Sequence, residues 1–432
     1  MPHLPVITRD IPPDYKAISI GFDVAGLWRQ GCDYVGAHIS ANSQEYEFLR
    51  SISGGKPLYM SEYYATPYHV PRAICHEEDV FHRRYRGSMW RGAAHGVIGY
   101  SFFVWSGSRH IYIDFYKPAQ NFPESVMTTL ANHLLLRTFE VRRFSQVSQS
   151  FGRVLYEGKP APRRAAILHS ITSTIDLPRR LPDSQRDSEG YQAIEALGWH
   201  VSLLDQGIQA DYVTESDVLA GRLTDYSVLI LPHCNFLPKP VTKRMLEYIQ
   251  GGGTVIASGA AGVWDEHGRP NRLLYKAIGQ DEVFEPRGLV TLADKPVGRG
   301  RLVLLGAEVA SPRQRATRWE LPGMRPVWNC PDMEALAKYR AEWGRWWRRL
   351  ALKLPAEPHC DDPDVEVSPW QWKGKTFLIV VNLSLDAPKQ VEIRLAKGQT
   401  VVDVTLAAPV GLRDGMLRTH LLPGAGRVFC VR

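Results

Sequence analysis

Leu58-Tyr59-Met60-Ser61-Glu62 is an apolar run that ends on one carboxylate, and two aromatics, Tyr63 and Tyr64, follow it. Residues 88–96 then have helical spacing and close on glycine, and 97–105 form a second apolar run that ends on Trp105. Strand, helix and second buried strand make a βαβ unit, which forces the two strands to lie parallel in one sheet. In such sheets the chemistry sits at the carboxyl ends of the strands. Glu62 and Trp105 both fall at such ends, as they would in a (β/α) barrel that builds a sugar site.

The same alternation extends on both sides. The pattern predicts strands over 4–8, 34–39, 58–61 and 97–104, and helices over 14–28, 43–53, 77–95 and 123–145. Pro160-Ala161-Pro162-Arg163 reads as a linker. Beyond it, strands are expected over 165–169, 200–204, 226–232 and 254–258, with 302–305 as an edge strand. Helices are expected over 189–197, closed by Gly198, and over 240–250, closed by Gly251-Gly252-Gly253. This is a doubly wound, flavodoxin-like α/β pattern. The glycine triplet follows a helix instead of opening one, so it is a helix stop and not a phosphate cradle. Cys234 stands at a strand end but lacks the flanking glycines of a nucleophile elbow, and reads as structural. A helix over 332–352 precedes short alternating runs at 365–367, 376–382, 390–394, 400–403 and 426–431, the pattern of a small antiparallel β-sandwich. The expected fold is α/β, with a partial barrel over 1–160, a doubly wound domain over 161–355 and a β-sandwich over 356–432.

The chain has 432 residues, enough for two to four domains, and its 44% apolar and 22% charged content is that of a globular protein. The net charge of +7 brings no recognisable nucleic-acid module with it. The run 340–349 interleaves cations with Trp343, Trp346 and Trp347. It reads either as a patch for nucleic acid or membrane surface, or as an amphipathic helix with its tryptophans turned inward, and the second is the ordinary case. Cys32, Cys75, Cys234, Cys330, Cys360 and Cys430 show no Cys-x-x-Cys or metal-ligand spacing and read as free thiols of a reduced, cytoplasmic compartment. No apolar run reaches a membrane span, and the start Met1-Pro2-His3-Leu4-Pro5 lacks a signal peptide's regions. No metal, cofactor, nucleic acid or membrane is expected.

Taken in order, these regimes resemble glycoside hydrolase family 42, the β-galactosidases of the retaining barrel clan. The matching stretches are His3-Leu4-Pro5-Val6-Ile7-Thr8 with Asp14-Tyr15, Phe22-Asp23-Val24 with Cys32-Asp33-Tyr34-Val35-Gly36, Tyr59-Met60-Ser61-Glu62, and Arg91-Gly92-Ala93-Ala94-His95-Gly96 through Phe103-Val104-Trp105. Leu229-Ile230-Leu231-Pro232 and the glycine triplet match the family's second domain.

The resemblance implies that these barrel stretches are strands five to eight of a (β/α)8 barrel, followed by a trimerisation-type domain and a β-domain. It implies a carbohydrate substrate, a homo-oligomer of the family's trimeric kind, and Glu62 as the nucleophile. Trp105 would offer its ring to the sugar, and Tyr63, Tyr64, His38 and His110 lie near the same strand ends, where they could bond hydroxyls. Each has a plainer reading: Glu62 in an ion pair, Trp105 as a core residue, the others as satisfied structural groups. His95 is expected to be structural.

Two departures from the family stand out. Ser106-Gly107 follows the strand-eight tryptophan where the family has a polar, often basic, residue, and no Asn-Glu pair occurs to supply the acid/base glutamate of strand four. Asp10, Glu45 and Asp114 lie at strand ends but match no catalytic position. The first four strands and the acid/base are therefore expected to be missing from this chain. The functional expectation is a β-galactosidase-like retaining glycoside hydrolase, truncated or completed by a partner. The alternatives are a non-catalytic oligomerisation or sugar-binding module, and a truncated inactive gene product.

Overall fold

The structure, a computed structural model, describes residues 29, 33–37, 43–63, 78–102, 136–180, 191–280, 291–306, 333–352, 354, 358–384 and 386–432. The chain is a mixed α/β protein. It divides into two compact units, one built from Trp28–Ala161 together with Glu357–Arg432, the other from Pro162–Ala356. The expected strand at 4–8 and helix at 14–28 lie outside the described residues.

The first unit begins with β1 (Val35–Ala37), α1 (Ser43–Ile52), β2 (Leu58–Tyr63), α2 (Glu78–Ala94) and β3 (Val97–Phe102). The three strands are parallel in the order β1-β2-β3. Both connections carry a helix, as parallel pairing requires. Of the helix expected over 123–145, the described part is α3 (Leu136–Ser148), and α4 (Gly152–Glu157) follows. β4 (Lys159–Pro160), the start of the expected linker, is in fact hydrogen-bonded into a sheet described below.

The second unit contains β5 (Ala165–His169), α5 (Ile171–Arg180), α6 (Tyr191–Leu204), β6 (Ala210–Thr214), α7 (Glu215–Leu219), β7 (Val228–Pro232), α8 (Lys239–Gln250), β8 (Thr254–Ser258), α9 (Leu273–Ala277), β9 (Thr291–Val297), β10 (Gly300–Leu305) and α10 (Met333–Leu350). Its sheet runs β6-β5-β7-β8-β10-β9. All pairs are parallel except β10–β9. The first four places follow the 2-1-3-4 order of flavodoxin-like sheets.

Two expectations are overturned in this unit. Residues 200–204 are not a strand, and Gly198 does not end the preceding helix, because α6 runs through both. Glu195, Trp199, Ser202 and Leu203 are all buried, and their spacing is helical. Trp199 is locked edge-on against Trp343, Trp346 and Trp347 of α10 at centroid distances of 5.4, 6.2 and 6.3 Å. That contact outweighs the cost of a mid-helix glycine, about 1 kcal/mol. The three α10 tryptophans thus point into the unit, and its cations line the other face. The second correction concerns β10, which is not at the edge. It pairs on both sides, and β9 is outermost, carrying Pro296 where an edge strand tolerates it.

The remaining strands return to the first unit: β11 (Val365–Trp372), β12 (Lys375–Asn382), β13 (Lys389–Arg394), β14 (Val401–Asp403), β15 (Ala408–Val410), β16 (Met416–Leu421) and β17 (Gly426–Val431). Six strands pair antiparallel as β15-β14-β17-β12-β11-β4, and β13 and β16 form a separate two-stranded antiparallel sheet. Alternation along β12 divides two cores. Phe377, Ile379 and Val381 pack with Trp90, Ala93 and Ala94 of α2 and with Phe151 and Val154. Leu378 and Val380 pack with Val391, Ile393, Leu417 and Leu421 of that two-stranded sheet. A strand buried on both faces reads as a continuous apolar run, as Phe377-Leu378-Ile379-Val380-Val381 does.

Gly300 begins β10 where a Cβ would lie 2.1 Å from the Ile249 carbonyl and 2.2 Å from that of Gly253. Both obstacles are backbone. Gly300→Ala is expected to destabilise the second unit by about 1–3 kcal/mol, read as a lower urea midpoint at unchanged slope.

Candidate active site

The carboxyl ends of β1, β2 and β3 lie along one edge of the parallel sheet. Glu62 and Tyr63 are the last two residues of the central strand. The register there is irregular. Met60 pairs with Tyr100 and Tyr63 with Phe102, so β2 spends three steps where β3 spends two. The irregularity therefore spans Ser61 and Glu62. An extra residue of this kind bends a strand and re-aims its side chains, and such bulges concentrate beside active sites. The compensating slip lies earlier, where Leu58 pairs with Val97 and Tyr59 with Gly99.

On β3, Tyr100 and Phe102 face α2. The Tyr100 hydroxyl donates to the Met89 carbonyl at 3.0 Å, and Phe102 stacks on Tyr85 at 6.0 Å. Alternation leaves Gly99 and Ser101 on the other face. The Tyr59 ring lies over Gly99 so closely that a Cβ there would stand 2.8 Å from it. Of the other residues singled out in the sequence, Glu45 is on α1. His38, Tyr64, Trp105, His110, Asp10 and Asp114 lie outside the described residues.

The amino end of the same sheet holds a buried charged cluster that sequence reasoning had marked only at His95. This residue sits between α2 and β3. Its Nδ1 is 2.7 Å from Glu47 Oε2 on α1, and its Nε2 is 2.6 Å from Glu366 Oε1 on β11. All three side chains are almost fully buried. Glu47 also accepts from both Arg50 guanidinium nitrogens and from Ser51 Oγ. Burial disfavours the imidazolium, but the charges and hydrogen bonds of Glu366 and Glu47 overcome it and raise the His95 pKa above its ordinary value. In barrel-type sheets this end serves stability, which agrees with the structural reading of His95.

In the second unit, the carboxyl ends of the strands gather another polar group. Ser170 caps α5 by accepting from the Ser173 amide at 3.0 Å. Glu215 takes the Ser170 hydroxyl at 2.5 Å and the Thr172 hydroxyl at 2.8 Å, and burial raises its pKa. Thr214 and Asp217 form a reciprocal capping box on α7. Cys234 is buried, and its thiol donates back to the Pro232 carbonyl at 3.5 Å, as a structural cysteine would. The left-handed residue at this strand end is its neighbour His233, at φ 45°. The His233 ring fills the space where Gly259, itself at φ +68°, would carry a Cβ. Gly251 ends α8 and Gly252 follows at φ 118°, as a helix stop requires. Among the described residues, no three His, Cys, Asp or Glu side chains are grouped to hold a metal ion, and no helix is long and apolar enough to cross a membrane.

Burial pushes His169, at the end of β5, down to about 4. The unfolded chain takes up this proton near 6.5, so stability is expected to fall as pH drops from about 6.5 to 4. His169→Leu removes that portion of the loss, measurable as a flatter dependence of the urea midpoint on pH.

Residues 163–275 match the family model described as the β-galactosidase trimerisation domain. No curated protein matches the chain in sequence. Among solved structures, it is similar to a catalytic mutant of Gan42B, a GH42 β-galactosidase from G. stearothermophilus, with a TM-score of 0.68 at 14% identity. That match covers 100% of this chain and 64% of the enzyme. The β-galactosidase from Bacillus circulans sp. alkalophilus gives 0.67 at 13% identity, again over 100% and 64%. The β-galactosidase from Rahnella sp. R3 gives 0.66 at 13%, over 99% and 64%. The chain thus spans slightly less than two thirds of the length of these enzymes. Its fold is similar to that of glycoside hydrolase family 42 β-galactosidases, and residues 163–275 match that family's trimerisation domain.

Proposed function

We propose that this chain carries the nucleophile half of a β-galactosidase-like retaining glycoside hydrolase, with Glu62 as the nucleophile. The observation that supports it most is the position of Glu62 in an irregular pairing, at the carboxyl end of the central strand of a parallel βαβαβ sheet. Trp105, Tyr63, Tyr64, His38 and His110 are the proposed sugar contacts. In this reading β1, β2 and β3 are strands six, seven and eight of a (β/α)8 barrel, with residues 1–160 as its C-terminal half. Residues 161–355 are the trimerisation-type domain, and 356–432 are a β-sandwich. The protein would assemble as a homo-oligomer, with the trimer as first candidate.

Chemically, Glu62 would attack the anomeric carbon and form a glycosyl-enzyme as the aglycone oxygen departs. A second carboxyl group, about 5–5.5 Å from the nucleophile in retaining enzymes, protonates the leaving oxygen and then activates water. We assign that role to no residue of this chain. An aryl leaving group of low pKa departs without protonation, so the first step can be tested alone.

The test is incubation with 2,4-dinitrophenyl 2-deoxy-2-fluoro-β-galactoside, followed by intact mass and peptide mapping. The expected result is one fluorogalactosyl adduct, on the peptide that holds Glu62, absent in Glu62→Gln. An adduct elsewhere, or none on protein with native circular dichroism, overturns the nucleophile assignment and favours the non-catalytic module.

A further inference from the structure

We propose that His95 is a proton-operated latch, fastening the antiparallel sheet of the first unit to the α2–β3 corner when its imidazole carries a proton on both nitrogens. This inference concerns folding and does not rest on the proposed activity.

The geometry sets the proton count. Each ring nitrogen of His95 lies within 2.7 Å of a buried carboxylate oxygen, Glu47 on one side and Glu366 on the other. The Nδ1 approach is a hydrogen bond, and the Nε2 approach is an ion pair without hydrogen-bond alignment. A neutral imidazole has one N–H, and the imidazolium has two. With both carboxylates ionised, the hydrogen bond to Glu47 and the ion pair to Glu366 together require the charged ring. Arg50 adds a second positive charge on the Glu47 side. Among the described residues, the other titratable and charged groups near the ring are Tyr46 of α1, stacked at a centroid distance of 6.2 Å, and Arg91, buried one turn earlier on α2.

The three residues come from three places in the chain. Glu47 is on α1, His95 is at the corner, and Glu366 is on β11. β11 presents Glu366, Ser368 and Trp370 on one face, by strand alternation. Ser368 Oγ and Trp370 Nε1 both donate to the Ala94 carbonyl, at 2.7 and 3.1 Å. Gly96, at φ +87°, lets the Trp370 ring approach to 2.8 Å from where its Cβ would stand. The two neutral bonds to Ala94 persist at any pH near neutrality. The Glu366 contact changes with the proton on His95.

Losing that proton leaves a single N–H for two buried carboxylates. The sign follows from the raised pKa: the stabilisation is fully present below about 6.5, the ordinary histidine value, and is lost as pH rises through the higher folded value. The latch therefore holds below the folded His95 midpoint and releases above it. β11 should loosen before the rest of the unit unfolds.

Two measurements on the full chain test this. In 15N-histidine-labelled protein, the His95 ring, assigned by its loss in His95→Gln, is expected to stay imidazolium to a higher pH than exposed histidines do. A ring that titrates near 6.5 or below overturns the proposal. In hydrogen exchange, corrected for intrinsic rate, protection of the β11 peptide is expected to fall by up to tenfold per pH unit above the His95 midpoint, the limit for one proton. Glu366→Gln removes one of the two charges and should move that midpoint down by at least one pH unit, and Tyr46→Phe should leave it in place. Protection that does not change with pH, or a midpoint that follows Tyr46 instead of Glu366, overturns the latch. If His95→Gln does not fold, the Glu366→Gln series and the wild-type titration still decide the matter.

Discussion

The first unit depends on α2 having almost no solvent face over its second half. Tyr85, Gly87, Ser88, Met89, Trp90, Arg91, Ala93 and Ala94 are all buried, most against one of two sheets. A helix buried all round gains hydrophobic contact on every side but must find a partner for every polar group it carries. The partners come from far along the chain. Arg86 donates to the Pro423 carbonyl at 3.0 Å and pairs with Glu140 at 3.3 Å. The Ala94 carbonyl, free of any intrahelical donor at the helix end, takes two donors from β11. Gly424 and Gly426 bring the β17 turn so near that a Cβ on either would meet Arg83 or Trp90 below 3 Å. Residues 357–432 are thus part of the support of α2, and α2 in turn supports β3 and, by pairing, β2.

Much of this was legible in the sequence because the periods are clean. The helix expected over 43–53 is Ser43–Ile52, and that over 77–95 is Glu78–Ala94. The two-sided burial of β12 is written in five consecutive apolar residues. Where the reading failed, two periods overlapped. Trp199-His200-Val201-Ser202-Leu203-Leu204 alternates well enough to pass for a strand, and a glycine precedes it. Six residues do not separate period 2 from period 3.6. The buried partner that decides it, the α10 tryptophan cluster, lies well over a hundred residues away. β9 was missed because Asp294, Lys295 and Pro296 interrupt its pattern, an interruption that suits an edge strand.

The candidate site was legible in a different way. A carboxylate at the end of an apolar run gives the location of Glu62, since strand ends are set by local pattern. The extra residue at Ser61–Glu62 is a property of a strand pair and cannot be read from β2 alone. The same holds for His95. Alternation along Val365-Glu366-Val367-Ser368 suggests a polar face turned to water, yet Glu366 and Ser368 are buried against the α2–β3 corner. The sequence distinguishes polar from apolar positions, but not a solvated polar face from one whose partners arrive from another element.

The two units use the carboxyl ends of their parallel strands in opposite ways. A doubly wound sheet offers a ligand the crevice where strand order reverses, here between β5 and β7, together with the amides of the helix that follows the first strand. In the second unit those groups are already taken by the chain. Glu215 sits at the start of α5 in the place of an anion, 3.3 Å from the Thr172 amide, and holds both neighbouring hydroxyls. Ser173 exchanges hydrogen bonds with Phe236 across the reversal, at 2.6 and 3.0 Å. The edge is stitched by its own side chains, an arrangement suited to a rigid assembly domain. In the first unit the stitching lies at the amino end, at His95. The irregularity in β2 lies at the carboxyl end, beside Glu62. The first unit thus places its buried charged cluster and its strand irregularity at opposite ends of one parallel sheet.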